Sequence, residues 1–204
     1  MIRNIVFDMG GVLIRWCPDE FMEILGIPEE DRETLRKGVY DTIEWHQMDR
    51  GTLSMEDGVS ILLSRLPERL RETGRYLALH WYEKCLLPME GMEALIRELK
   101  DKGYGIYLLS NAKTDLYQYF DRIPGSQYFD GKLVSADWKL LKPQHEIFET
   151  LFREFHLKPE ECFFVDDMVA NAEGARYAGM DSAVFDGDIS RLRKALSASG
   201  VPVA

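Results

Sequence analysis

From residue 88 onward, short apolar runs alternate with amphipathic blocks, and no other property of the sequence restricts the possible folds so tightly. The runs 103–109, 133–135, 162–165 and 182–185 have the length and composition of buried strands, and Ile5-Val6-Phe7 near the start adds a fifth. Between them, the blocks 91–102, 114–120, 143–156 and 171–178 repeat apolar residues every three or four positions, the period of a helix packed on one face. Pro143 suits the first position of the third block, where a missing N–H leaves nothing unsatisfied. Strands alternating with helices predict an α/β fold with a Rossmann-like, doubly wound core: a parallel sheet with helices on both faces.

Residues 16–87 read differently. They hold no segment alternating at period two, but contain helix-like blocks at 19–25, 29–38, 40–49, 54–66 and 67–85. Ser54 followed by Asp57 resembles a helix start, with a hydroxyl accepting from free amides and an acid at the positive end. The expected organisation is a core of residues 1–15 and 88–204 interrupted by a small α-helical cap of residues 16–87. The aromatic residues Trp45, Tyr76, Trp81 and Tyr82 of this insert read as packing residues, not as site residues.

In such a sheet, ligands gather at the carboxyl ends of the strands, where the strand order reverses. The residues placed there are Asp8 and Gly10 after the first strand, Ser110 and Asn111 after the second, and Asp166 and Asp167 after the fourth; Lys142 precedes a helix. This set suits phosphoryl transfer. A phosphate ester repels an anionic nucleophile, so its charge must be neutralised before attack. Mg²⁺, which prefers oxygen ligands, would be held by Asp8, the Gly10 carbonyl and one or both of Asp166 and Asp167. Lys142 adds a fixed cation and, with Ser110 and Asn111, holds the phosphoryl group, while Asp8 attacks phosphorus as the nucleophile. Asn171, one turn into the following helix, is placed to orient Lys142 or the acids.

Charge and length exclude other partners. A formal net charge of -10 opposes a nucleic acid, which needs a basic surface, but not a small phosphorylated metabolite in a locally cationic site. No apolar stretch approaches the ~20 residues that cross a bilayer, so no membrane role is expected. Cys17, Cys85 and Cys162 are scattered and odd in number, which fits idle thiols. The opening Met1-Ile2-Arg3-Asn4 leads directly into a strand and fits a cytoplasmic chain. The oligomeric state is open.

Phe7-Asp8-Met9-Gly10-Gly11-Val12-Leu13, Leu108-Leu109-Ser110-Asn111, Leu141-Lys142-Pro143 and Phe164-Val165-Asp166-Asp167 through Asn171 resemble, in order, the four motifs of the haloacid dehalogenase superfamily. The resemblance implies hydrolysis through a covalent aspartyl intermediate and a helical cap that selects the leaving group. Residues 46–54 and 171–175 are most similar to the helical-cap phosphatase branch that includes alpha-D-glucose-1-phosphate phosphatase; the N-terminal phosphatase domain of soluble epoxide hydrolase is also similar. Most phosphatases of the superfamily carry an aspartate where this chain has Gly10, and that aspartate protonates the leaving oxygen. The expectation is a Mg²⁺-dependent phosphatase acting on a small phosphate ester, such as a sugar phosphate. Two alternatives are a dehalogenase using the same Asp8 attack at carbon, and a phosphate-binding regulatory protein weakened in catalysis by Gly10. His46 is the natural candidate for a substitute acid, and His145 reads as structural.

Overall fold

The computed structural model describes residues 1–203. Its five strands are β1 (Asn4–Phe7), β2 (Gly105–Ser110), β3 (Gly131–Val134), β4 (Cys162–Asp166) and β5 (Asp181–Val184), all parallel in the order β3-β2-β1-β4-β5. A parallel sheet is covered on both faces, which is why its central strands β1 and β4 are buried along almost their whole length. Ile5 and Phe7 of β1, with Phe163 and Val165 of β4, enter one core; Val6 and Phe164 enter the other, beneath Ile147, Phe148 and Leu151. Each such side chain removed from water contributes about 1.5–3 kcal/mol.

Among the described residues, twelve α-helices accompany the sheet. α1 (Pro18–Ile24), α2 (Glu29–Leu35), α3 (Ile43–Arg50), α4 (Met55–Arg65), α5 (Arg71–Leu79) and α6 (Tyr82–Cys85) form the insert. α7 (Met92–Asp101), α8 (Leu116–Tyr119), α9 (Ser135–Trp138), α10 (His145–Phe155), α11 (Val169–Tyr177) and α12 (Ile189–Ala198) connect and flank the strands. Three local expectations change. The block 67–85 is two helices with a break at His80 and Trp81. Only Leu116–Tyr119 of the block 114–120 is α-helical, followed by a 3₁₀ turn. Pro143 lies in a turn before α10, whose first residue is His145, because Leu141 and Gln144 close the turn between them through a main-chain and a side-chain hydrogen bond. Ser54 does start α4, accepting from the Asp57 N–H at 3.1 Å. The three cysteines are free thiols.

The insert is joined to the sheet by a two-stranded ribbon. Arg15 N–H donates to Leu87 O at 2.8 Å and Met89 N–H to Leu13 O at 2.9 Å, around the antiparallel bridge of Ile14 with Pro88. Inside it, Trp81 stacks on Phe21 at 5.4 Å and meets Trp16 edge-on at 4.8 Å, while Trp45 packs against Tyr40. Trp45 and Trp81 are thus packing residues, as their periodicity predicts. Among the described residues no helix is long and apolar enough to cross a membrane.

A second attachment lies at the end of α3, which packs on α9. The Asp49 carbonyl accepts from Ser135 Oγ at 2.5 Å, and Arg50 donates to Lys139 O and to Gln144 Oε1. Gly51 has a φ of 73°, and a Cβ there would stand 2.0 Å from the Ala136 carbonyl oxygen. Gly51→Ala should therefore lose more than the ~1–2 kcal/mol of the left-handed conformation alone. Urea unfolding checks this as a lowered midpoint at unchanged slope.

Candidate active site

The register of the sheet assembles the site. Phe7 pairs with Leu108 on one side and Val165 on the other, so the residues just past these pairs meet at the carboxyl edge where the strand order reverses. Asp8 leaves β1 with its N–H donating to Val165 O, and its carboxylate accepts from Met9 N–H at 2.7 Å. Lys142, wholly buried at its side chain, reaches under the sheet edge: Nζ is 2.8 Å from Asp8 Oδ1, 2.7 Å from Asp166 Oδ2 and 2.9 Å from Leu109 O. Asp166 is fully buried, and its other oxygen accepts from Met168 N–H and from Asn171 Nδ2 at 2.9 Å. The sequence places Asn171 beside the lysine or the acids; the structure gives it to Asp166.

Asp8, Asp166 and Asp167 each offer an oxygen within 4.8 Å of the others. Asp167 is the exposed member and rests against Gly11. Gly11 has a φ of 74°, and a Cβ there would fall 2.4 Å from Asp167 Oδ2. The glycine is needed for this close approach, a requirement that its place in a turn does not disclose. Ser110 ends β2 and is buried. Asn111 does something more specific than its expected phosphate contact: its Oδ1 accepts from Lys142 N–H at 2.8 Å and its Nδ2 donates to Lys142 O at 3.1 Å. Both halves of its amide hold the lysine's main chain. Gly10 lies at the start of the turn, where a Cβ would touch Trp16 Cβ at 3.5 Å.

The electrostatics show a site short of positive charge. Burial drives the Asp8 carboxyl up to about 7 despite the Lys142 ammonium, and the Asp166 carboxylate pushes the same way. Asp167 is raised by burial and then by Asp166. Burial also works against the Lys142 ammonium, but Asp8 and Asp166 outweigh it and hold the group above its ordinary value. Three carboxylates facing one ammonium fit a divalent cation with oxygen ligands, since such an ion offsets the burial that, with Asp166, raises Asp8. His46 is exposed on α3, and His145 packs its ring against Tyr177.

Residues 2–179 match the family model of the haloacid dehalogenase-like hydrolases. The chain belongs to this family. This HAD-like hydrolase is 29% identical over 178 residues to a sesquiterpene phosphatase of Aspergillus oryzae, covering 86% of this chain and 85% of that one. It is 26% identical over 196 residues to a D-ribitol-5-phosphate phosphatase of Bacteroides thetaiotaomicron, covering 89% and 91%. Among solved structures, a HAD family enzyme of Bacteroides thetaiotaomicron in complex with magnesium and inorganic phosphate superposes with a TM-score of 0.70 at 20% identity, covering 94% of this chain and 99% of that one.

The raised Asp8 group sets a stability test for the metal-free hydrolase. The fold prefers the protonated carboxyl while the unfolded chain ionises in the ordinary range near ~4, so this contribution is full below that range and is lost as pH rises toward 7. Asp8→Asn, which cannot ionise, should escape the loss. In EDTA its melting temperature should rise relative to the unsubstituted hydrolase between pH 4 and 7, then run parallel; parallel curves across the whole range would contradict the assignment.

Proposed function

We propose that this HAD-like hydrolase is a Mg²⁺-dependent phosphatase that cleaves a small phosphomonoester, such as a sugar phosphate, through an aspartyl phosphate on Asp8. The observation that carries the reading is the Asp8, Asp166 and Asp167 carboxylate cluster with Lys142 buried inside it. Mg²⁺ would be held by these three carboxylates and the Gly10 carbonyl, where it supplies neutralisation of the negative charge on the transferring group. The phosphatase relatives support the same reaction class, though the substrates in their names differ from one another.

The chain's own residues divide the remaining work. Asp8 is the nucleophile: its carboxylate bonds to phosphorus as the bond to the leaving oxygen breaks, and water later restores the free carboxylate and releases phosphate. Lys142 opposes the burial that raises Asp8, favouring the ionised form that attacks, and stands beside the transferring oxygens. Ser110 and the loop after it receive the phosphoryl group, and Asn111 serves that site by fixing the main chain of Lys142. Asn171 and the Met168 N–H hold Asp166 in one orientation. The helical segment is the cap over this edge. Attack at carbon on a halo-acid would use Asp8 and Lys142 but give the Asp166 and Asp167 pair no purpose.

A panel of phosphomonoesters including a polyol phosphate, a sugar phosphate and a prenyl phosphate tests the proposal. Hydrolysis should require Mg²⁺, stop in EDTA, and fall by at least about 10³-fold in Asp8→Asn, the scale of losing a nucleophile. Turnover that survives EDTA, or is equal in Asp8→Asn, would refute it.

A further inference from the structure

Gly10 leaves the proposed reaction without a group to protonate the leaving oxygen, and the inference below rests on the phosphatase reading. At the seam between α3 and the loop after β2 lies a second set of buried charges. Asp49, near the end of α3, is buried, with the Trp45 indole and the Lys113 main-chain N–H beside its carboxylate. Lys113 is also buried; its Nζ sits 3.4 Å from the centroid of the Trp45 ring and 3.9 Å from Asp115 Oδ2. Neither oxygen of the buried Asp115 has a hydrogen-bond partner among the described residues. Two buried carboxylates with one ammonium are costly to place in a core, and packing alone does not require them.

Their location gives them a use. Ser135 Oγ donates to the Asp49 carbonyl at 2.5 Å and accepts from the Ala112 N–H at 2.9 Å, so Asp49 is tied to the same loop after Ser110 that receives the phosphoryl group. A Cβ at position 10 would make ordinary contact with Trp16 Cβ at 3.5 Å, and the Trp16 ring lies 5.9 Å from that of Trp45, one turn before Asp49 on α3. Trp16 and Trp45 thus link Gly10 to the helix that carries Asp49. We propose that Asp49, supplied by the helical segment across the Trp16 and Trp45 pair, is the general acid and base that position 10 does not provide.

The step balances without a further reactant. As Asp8 bonds to phosphorus, the bond from phosphorus to the leaving oxygen breaks; its electron pair stays on that oxygen, which takes the Asp49 proton and departs as the alcohol. In the second half, the Asp49 carboxylate takes a proton from the attacking water. The new oxygen–phosphorus bond then displaces Asp8 as a carboxylate, and inorganic phosphate leaves. The groups facing Asp49 are Lys113 and Asp115 from the loop after β2 and Tyr119 from α8. Burial raises the Asp49 carboxyl to about 7, with Lys113 opposing and Asp115 adding to the rise, which is where a proton donor is most effective near neutral pH.

Leaving groups separate this role from a structural one. An alkyl phosphate needs its leaving oxygen protonated, whereas a dinitrophenyl phosphate does not. Asp49→Asn should lower kcat/KM about 10²-fold or more for the alkyl ester and less than about threefold for the aryl ester, and adding Gly10→Asp should restore alkyl turnover. Equal losses on both esters, or no loss on the alkyl ester, would overturn the assignment. Should Asp49→Asn fail to fold, Lys113→Met provides the second measurement. Removing that cation should move the alkaline limb of the alkyl-ester pH profile to higher pH and leave the aryl-ester limb in place; an unmoved alkyl limb refutes Asp49. If the unsubstituted hydrolase cleaves neither ester above the Asp8→Asn control, the phosphatase reading itself falls and takes this inference with it.

Discussion

The site is organised around one buried ammonium. Lys142 touches Asp8, Asp166 and the carbonyl of Leu109, so it ties the ends of β1, β4 and β2 through one atom. A charge without solvent is tolerable only when its partners are correctly placed, and removing one of them leaves an uncompensated ion at a cost of about 3–5 kcal/mol. The lysine therefore constrains its surroundings: Asn111 clamps its main chain, Asn171 turns Asp166 toward it, and the Met9 N–H turns Asp8. Even so, three acids meet a single cation, and Asp8 holds its proton well above the ordinary range.

Much of this could be read from the chain. Apolar runs ending in Asp8, Ser110 and Asp166 are visible because a parallel sheet buries both faces and releases polar residues only at its ends. Lys142 is legible from its place between the second and fourth of the sequence motifs. What stayed hidden depends on contacts distant in sequence. The grip of Asn111 on Lys142 spans 31 positions, and the seat of Asp167 on Gly11 is a close approach that no periodicity encodes. Pro143 misled for a local reason: proline tolerates a first helical position, but here the turn closed by Leu141 and Gln144 delays the helix to His145.

The insert shows the same division. Its helices follow from apolar spacing, and Trp45 and Trp81 are core residues as expected of aromatics on helices. The histidine with the most suggestive chemistry, His46, is exposed, while the nearby acid that sequence gives no reason to prefer, Asp49, is buried against the loop after β2. A single Asp three residues beyond a His on a polar helix looks like ordinary surface charge. Only the crossing of α3 over α9 turns it inward, and that crossing is made possible by Gly51, which has no side chain to strike Ala136.

The two attachments of the insert have a mechanical consequence. The ribbon of Leu13 to Arg15 with Leu87 to Met89 is a hinge leaf, and the turn at Asp49 to Gly51 is a clasp at the far edge. Arg50 closes that clasp on Gln144, whose side-chain oxygen also accepts from Leu141, the residue before Lys142. The attachment of the insert and the strap that carries the lysine therefore share one side chain, so a displacement at either is felt at the other.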